Sequence, residues 1–244
     1  LWDIRFLKPL VKLILKISFR KANIIYCQND RDYKLIKKLV NKKKIIIERI
    51  SGSGVDLDTF TPPSVERNFK QLKFAMVARL KKRKGYITYL DACEILKGKS
   101  IKCSFYLASG YKSDQKIINR LRKEYKATEI LDFQSNMESF YKNVDCVILP
   151  STYNEGTPKS LLEALSSGCA IITSNRPGCS DTVLHNKNGY LLENINPKEL
   201  SNLMLDYINL EIQRKQQFSQ KSRELAEKKF DQNNIVRTYQ KCLY

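Results

Sequence analysis

The stretch Cys146-Val147-Ile148-Leu149-Pro150-Ser151-Thr152-Tyr153-Asn154-Glu155-Gly156-Thr157-Pro158-Lys159-Ser160-Leu161-Leu162-Glu163-Ala164 reads as one strand, one loop and one helix in succession. Cys146 to Leu149 is an unbroken apolar run, as a strand covered on both faces of a parallel sheet requires. Pro158 suits the first turn of a helix predicted from Pro158 to Ser167. The same alternation recurs on either side. Strand-like runs at Leu72 to Ala78, Ile101 to Ala108, Ile130 to Phe133 and Ala170 to Thr173 are separated by helical stretches at Tyr86 to Leu96, Asp114 to Tyr125 and Met137 to Lys142. Strands that alternate with helices predict an α/β fold with a parallel sheet and helices on both faces. Asn196-Pro197-Lys198-Glu199 reads as a further helix start, and two polar helices finish the chain.

Upstream, Leu1 to Arg20 reads as an amphipathic helix, with Leu7, Leu10, Val11, Ile14, Leu15 and Phe19 at helical spacing. Lys8, Lys12, Lys16 and Arg20 form a cationic ridge along it. Such a helix can lie on an anionic membrane or pack its apolar side on a sheet, and packing is the preferred reading. A strand at Ile24 to Cys27, a helix at Asp30 to Val40 and a strand at Ile45 to Ile47 follow. Gly52-Ser53-Gly54 and Pro62-Pro63 then break the pattern and mark a linker.

The 244 residues carry 44 Lys plus Arg against 25 Asp plus Glu, a formal net charge of +19. That excess draws anions of any kind, phosphorylated small molecules and anionic lipid included, and says nothing of fold. Nucleic acid is not expected as a partner, because no stretch interleaves aromatic with basic residues as an exposed binding sheet would. The 7 cysteines include no C-x-x-C pair and several lie in apolar runs, which reads as buried thiols in a reducing, cytoplasmic setting. The single His185 sits beside Asn186-Lys187-Asn188-Gly189, a surface loop, and builds no metal site alone. No stretch approaches the ~18 apolar residues of a membrane span.

Ligands of such sheets bind where strands end and loops enter helices. After Leu149 the loop brings Gly156, which permits close approach of a ligand to the backbone. The N–H groups of Lys159 and Ser160 at the following helix start suit a phosphate. Glu155 is costly beside a phosphate unless it accepts hydrogen bonds, for instance from sugar hydroxyls. Glu163, among Leu161, Leu162 and Leu165, needs a partner that ribose hydroxyls could supply. Spacing alone leaves two other readings open, a first-turn acid for Glu155 and a buried salt bridge for Glu163.

Glu155 and Glu163 in E-G-T-P-x-x-x-x-E-A resemble the E-x7-E motif of family 4 glycosyltransferases. Val77-Ala78-Arg79-Leu80 with Lys84-Gly85 is similar to that family's G-R-L-x-x-x-K-G. Gly52-Ser53-Gly54-Val55-Asp56 through Phe60 resembles the interdomain G-S-G-V-D-x-x-x-F. Gly168 to Thr173, Pro177 to Val183 and Asn188-Gly189-Tyr190-Leu191 follow in family order. Ala78, Ser51 and Asp132 depart from residues common there.

The resemblance implies the two-domain GT-B fold. Residues 57–225 would form a Rossmann-like donor domain, residues 1–56 a remnant of the acceptor-side Rossmann-like domain, and 226–244 a helix returning toward the N-terminal part. It implies transfer from a UDP-linked sugar, with retention and without metal or other cofactor, to a saccharide or lipid-linked acceptor in polysaccharide assembly. The setting would be cytoplasmic and peripheral on the inner membrane face. Arg79 and Lys84 would hold the diphosphate and Glu155 the sugar. Gly156, Thr157, Pro158, Lys159 and Ser160 would hold phosphate and sugar, and Glu163 the ribose. Phe133, Gln134, Asn136 and Met137 would lie near the base. The chain is expected to be truncated at its front and inactive alone. A non-catalytic nucleotide-sugar module is the main alternative, with a GT-B epimerase or phosphorylase disfavoured by motif order.

Overall fold

The computed structural model describes residues 8–40, 45–99, 101–110 and 114–241. Leu1 to Leu7 and Cys242, which enter the sequence reading, lie outside the described residues. Helix α1 spans Lys8–Ser18. Strand β1 (Ile24–Cys27), helix α2 (Asp30–Leu39) and strand β2 (Ile46–Arg49) follow, and β1 and β2 pair in parallel. The sheet-packing expected of α1 is not what the chain shows: Leu10 and Ile14 are each 52% exposed, and Val11, Leu13 and Ile17 are exposed beside them. None of these apolar side chains is buried by the β1–β2 pair.

The main sheet comprises β3 (Leu72–Ala78), β4 (Cys103–Ser109), β5 (Thr128–Leu131), β6 (Cys146–Leu149), β7 (Ala170–Ser174) and β8 (Gly189–Leu192). Every pairing is parallel and the order is β5-β4-β3-β6-β7-β8. Helices α3 (Tyr86–Gly98), α4 (Gln115–Glu124), α5 (Met137–Lys142), α6 (Lys159–Ser166), α7 (Pro197–Asn209) and α8 (Ile212–Lys229) join or cover these strands. The chain moves one way across the sheet from β3 and the other way from β6, so the order reverses between those two strands. This is the Rossmann-like arrangement the alternation predicts.

Two expectations shift. Gly189 to Leu192 form strand β8, which the sequence does not mark as a strand because its run is too short to show a period. Phe133 lies past the end of β5 rather than inside it. On one face, the Tyr89 hydroxyl of α3 donates to the carbonyls of Phe74 and Tyr106 at 3.2 and 3.0 Å, and Tyr207 of α7 meets Phe74 edge-on. On the other face α6 packs against α8. Cys93, Cys146, Cys169 and Cys179 are wholly buried, and burial pushes the Cys93 and Cys169 thiols up to about 12. The expected boundary at 225/226 falls inside α8, where Leu225 and Ala226 are both buried. Helix α9 (Gln232–Gln240) then returns to β1, with the Tyr26 and Tyr239 rings 4.8 Å apart.

Candidate functional site

The reversal between β3 and β6 creates a crevice beyond their carboxyl ends, which is where ligands of open α/β sheets sit. The loop after β3 carries Arg79 and Lys84; the loop after β6 carries Ser151 to Pro158. A short 3₁₀ turn at Lys82–Lys84 brings Lys84 back across the crevice. Its Nζ lies 2.6 Å from both carboxylate oxygens of Glu155. The Ser151 hydroxyl donates to Glu155 Oε1 at 3.0 Å, and the Tyr153 ring lies 5.4 Å from Lys84 Nζ. The pair is largely buried, with side-chain exposures of 13% and 9%. Glu155 is therefore engaged before any ligand arrives, and only its remaining lone pairs can accept from hydroxyls.

Arg79 stands at the carboxyl end of β3 against Gly110, exposed, and makes no ion pair with an acid among the described residues. Helix α6 starts after Pro158, whose ring offers no capping group, so the first-turn N–H groups face the crevice without a side-chain cap. Pro158 stands at the cap itself, one place earlier than read from the sequence. A Cβ at Gly156 would come within 2.1 Å of Gln28 Oε1, so the chain's own N-terminal part already lies against this glycine. Gly178, at φ +83°, brings its loop so near that a Cβ would meet the Gly156 carbonyl oxygen at 1.5 Å.

Glu163, on the second turn of α6, accepts from the Tyr141 hydroxyl at 3.3 Å and faces Lys159 Nζ at 3.9 Å. Burial raises its carboxyl above the usual range, with Lys159 and then Tyr141 opposing. Neither a tight salt bridge nor a bare carboxylate describes it. The expected base-side residues follow β5, and Gln134 and Asn136 line one cleft together with Lys73, Tyr106 and Phe140. Gln134 donates to the Asp132 carbonyl at 3.0 Å, Asn136 caps α5 by accepting from Ser139 N at 2.9 Å, and Met137 packs on the core. Phe133 is 52% exposed beyond the end of β5, a strand that stands two places from β3 in the sheet.

Nothing in the sequence marks Ser151 or Asn29 as part of this site. Asn29 Nδ2 donates to the Glu155 carbonyl at 3.0 Å, a contact 126 positions apart that no local pattern in the chain signals. A cleft of about 740 Å³ between Pro62, Arg67 and the glutamines of α8 lies off this crevice, and its lining holds none of the residues above. Among the described residues no three His, Cys, Asp or Glu side chains gather as a metal would need.

A model of the family described as Glycosyl transferases group 1 matches residues 59–225. The chain is 27% identical over 203 residues to the N,N'-diacetylbacillosaminyl-diphospho-undecaprenol alpha-1,3-N-acetylgalactosaminyltransferase of Campylobacter jejuni, covering 78% of this chain and 52% of that one. It is 29% identical over 206 residues to the UDP-Gal:alpha-D-GlcNAc-diphosphoundecaprenol alpha-1,3-galactosyltransferase of Escherichia coli, covering 75% and 51%. The crystal structure of Anabaena Alr3699/HepE in complex with UDP-glucose superposes with a TM-score of 0.77 at 17% identity, over 97% of this chain and 69% of that one, a likeness of fold. The chain spans about half the length of the two sequence relatives.

Proposed function

Because the chain belongs to the group 1 glycosyl transferases, we propose that its main sheet holds a nucleotide-sugar donor whose sugar the whole protein transfers to a saccharide acceptor. The observation that carries this reading is the Lys84–Glu155 pair at the strand-order reversal, beside Arg79 and an uncapped helix start. Two cations and a row of N–H groups suit a diphosphate. A carboxylate held among them suits the hydroxyls of the sugar beyond it.

In this proposal the enzyme is of family 4 and retains anomeric configuration. Glu155, already paired to Lys84, steadies the donor sugar instead of acting as a covalent nucleophile. Arg79 and Lys84 stabilise the charge that grows on the departing diphosphate, an effect worth about 2.7–4 kcal/mol per well-placed donor. With those two cations meeting the phosphates, no metal or other cofactor is assigned. Gly156 to Ser160 line the phosphate side, Glu163 the ribose, and the Phe133 loop the base. The names of the relatives, which carry undecaprenol-linked saccharides, support a lipid-linked acceptor in polysaccharide or glycoconjugate assembly. Such an acceptor would place the protein at the cytoplasmic face of a membrane, with the cations of α1 toward anionic lipid. No helix among the described residues is long and apolar enough to cross the membrane.

Calorimetry tests the donor site. UDP and UDP-glucose should bind, and Arg79→Ala should weaken both by about 2–5 kcal/mol as a desolvated phosphate contact is lost. Unchanged affinity in that variant would remove the assignment.

A further inference from the structure

The loop from Pro150 to Pro158 has little apolar surface of its own to anchor it. What sets its central peptide is a set of polar contacts from two directions. The Glu155 N–H donates to the Pro177 carbonyl at 3.2 Å. On the other side the Glu155 carbonyl accepts from Asn29 Nδ2 at 3.0 Å. Asn29 is 1% exposed and its carboxamide is fully used. Oδ1 accepts from Asp32 N at 2.8 Å as the cap of α2, and Nδ2 also donates to Asp32 Oδ2 at 2.9 Å.

The neighbours of Asn29 make the same crossing. The Thr157 hydroxyl donates to the Gln28 carbonyl at 3.4 Å, and Gln28 Oε1 occupies the space a side chain at residue 156 would need. Arg49, at the end of β2, pairs with Asp30 at 2.6 Å and with Asp181 at 2.9 Å. The end of β1, the start of α2 and the end of β2 therefore grip both loops that bound Glu155.

We propose that Asn29 is a positioning residue for Glu155, setting through the Glu155 peptide where the carboxylate stands against Lys84. The proposal rests on the reading of Glu155 as the group that faces the donor sugar. It adds that the placement is governed from outside the main sheet. Displacing a reacting or binding group by about 1 Å is enough to lose most of its effect.

Asn29→Ser separates the two jobs of this side chain. Serine caps a helix about as well as asparagine, so α2 persists, but its hydroxyl is too short to reach the Glu155 carbonyl. Asn29→Asp, also a good cap, sets a carboxylate against that carbonyl and should loosen the loop further. The first measurement is amide hydrogen exchange on the free 244-residue chain. Amides of residues 152–156 should exchange at least tenfold faster in Asn29→Ser while those of α2 keep their protection. The second is calorimetry with UDP and UDP-glucose. UDP affinity should stay within twofold of the parent, while the ratio of UDP-glucose to UDP affinity falls at least fivefold.

Unchanged loop exchange would overturn the proposal, as would equal loosening of α2, which would make Asn29 a cap alone. A parallel loss of UDP and UDP-glucose affinity would also overturn it, because the whole site would then have moved. If the parent chain binds neither ligand, the donor-site reading falls by itself, and the exchange data still decide whether Asn29 holds the loop.

Discussion

Glu155 and Glu163 stand eight residues apart and meet different environments. At Glu163 burial raises the carboxyl from its ordinary 4.5, more than Lys159 and Tyr141 can offset. The folded chain therefore keeps that proton to higher pH than the unfolded chain. Its contribution to stability is complete below 4.5 and declines as pH rises through the raised value. Glu163→Gln, which carries no such penalty, should match the parent near pH 4 and gain on it toward pH 7 in urea titrations. The same variant should bind UDP more weakly if Glu163 holds the ribose. Opposite signs in stability and affinity are the expected outcome; a loss of both would make Glu163 structural. At Lys84 the argument runs the other way. Removing its ammonium leaves the largely buried Glu155 carboxylate with Ser151 alone, a change that typically costs about 3–5 kcal/mol. Lys84→Met should therefore destabilise strongly, and Lys84→Met with Glu155→Gln should recover most of the loss in a double-mutant cycle.

Among the elements, the segment before β3 depends on one side chain. Arg67, 8% exposed, donates to the carbonyls of Gly168, Ser167 and Tyr141 at 3.0, 3.0 and 3.1 Å, and faces Asp145 at 3.7 Å. It thereby closes the carboxyl ends of α5 and α6, whose last carbonyls have no further helix to meet. Arg67→Ala should cost about 3–5 kcal/mol and lower the melting temperature by roughly 10 °C. Arg67→Lys should rescue little, since one ammonium cannot span three carbonyls. Nothing near Arg67 in the chain foretells its acceptors. Strands β3 and β6, by contrast, match the predicted runs residue for residue, being long or wholly apolar. Strand β8 escaped because Gly189 to Leu192 offers only four residues beside a turn signal.

At the scale of the molecule, the charge and the exposed side of α1 act together. Leu10, Val11, Leu13, Ile14 and Ile17 are open along a helix that also carries Lys12 and Lys16. On the proposal of a lipid surface, Lys12→Glu with Lys16→Glu should abolish co-sedimentation with vesicles rich in anionic lipid, each cation near the surface being worth about 1 kcal/mol. UDP binding should persist, since the crevice between β3 and β6 lies in the main sheet. Equal sedimentation of the two proteins would place any membrane contact elsewhere.

By itself the sequence determined the α/β alternation, the loops that bear Arg79, Lys84 and Glu155, and the family. Those follow from local patterns: apolar runs, glycine and proline punctuation, and motifs whose spacing survives translation along the chain. Only the tertiary structure decided that Lys84 closes on Glu155, that Gly156 yields to Gln28 and that Asn29 reaches the Glu155 carbonyl. Each of these joins segments 71 to 128 positions apart: the first spans the crevice where the strand order reverses between β3 and β6, and the other two reach the Glu155 loop from the end of β1. Hydrogen bonds act over about 3 Å of space whatever the separation in sequence, and that distance is set by the packed sheet.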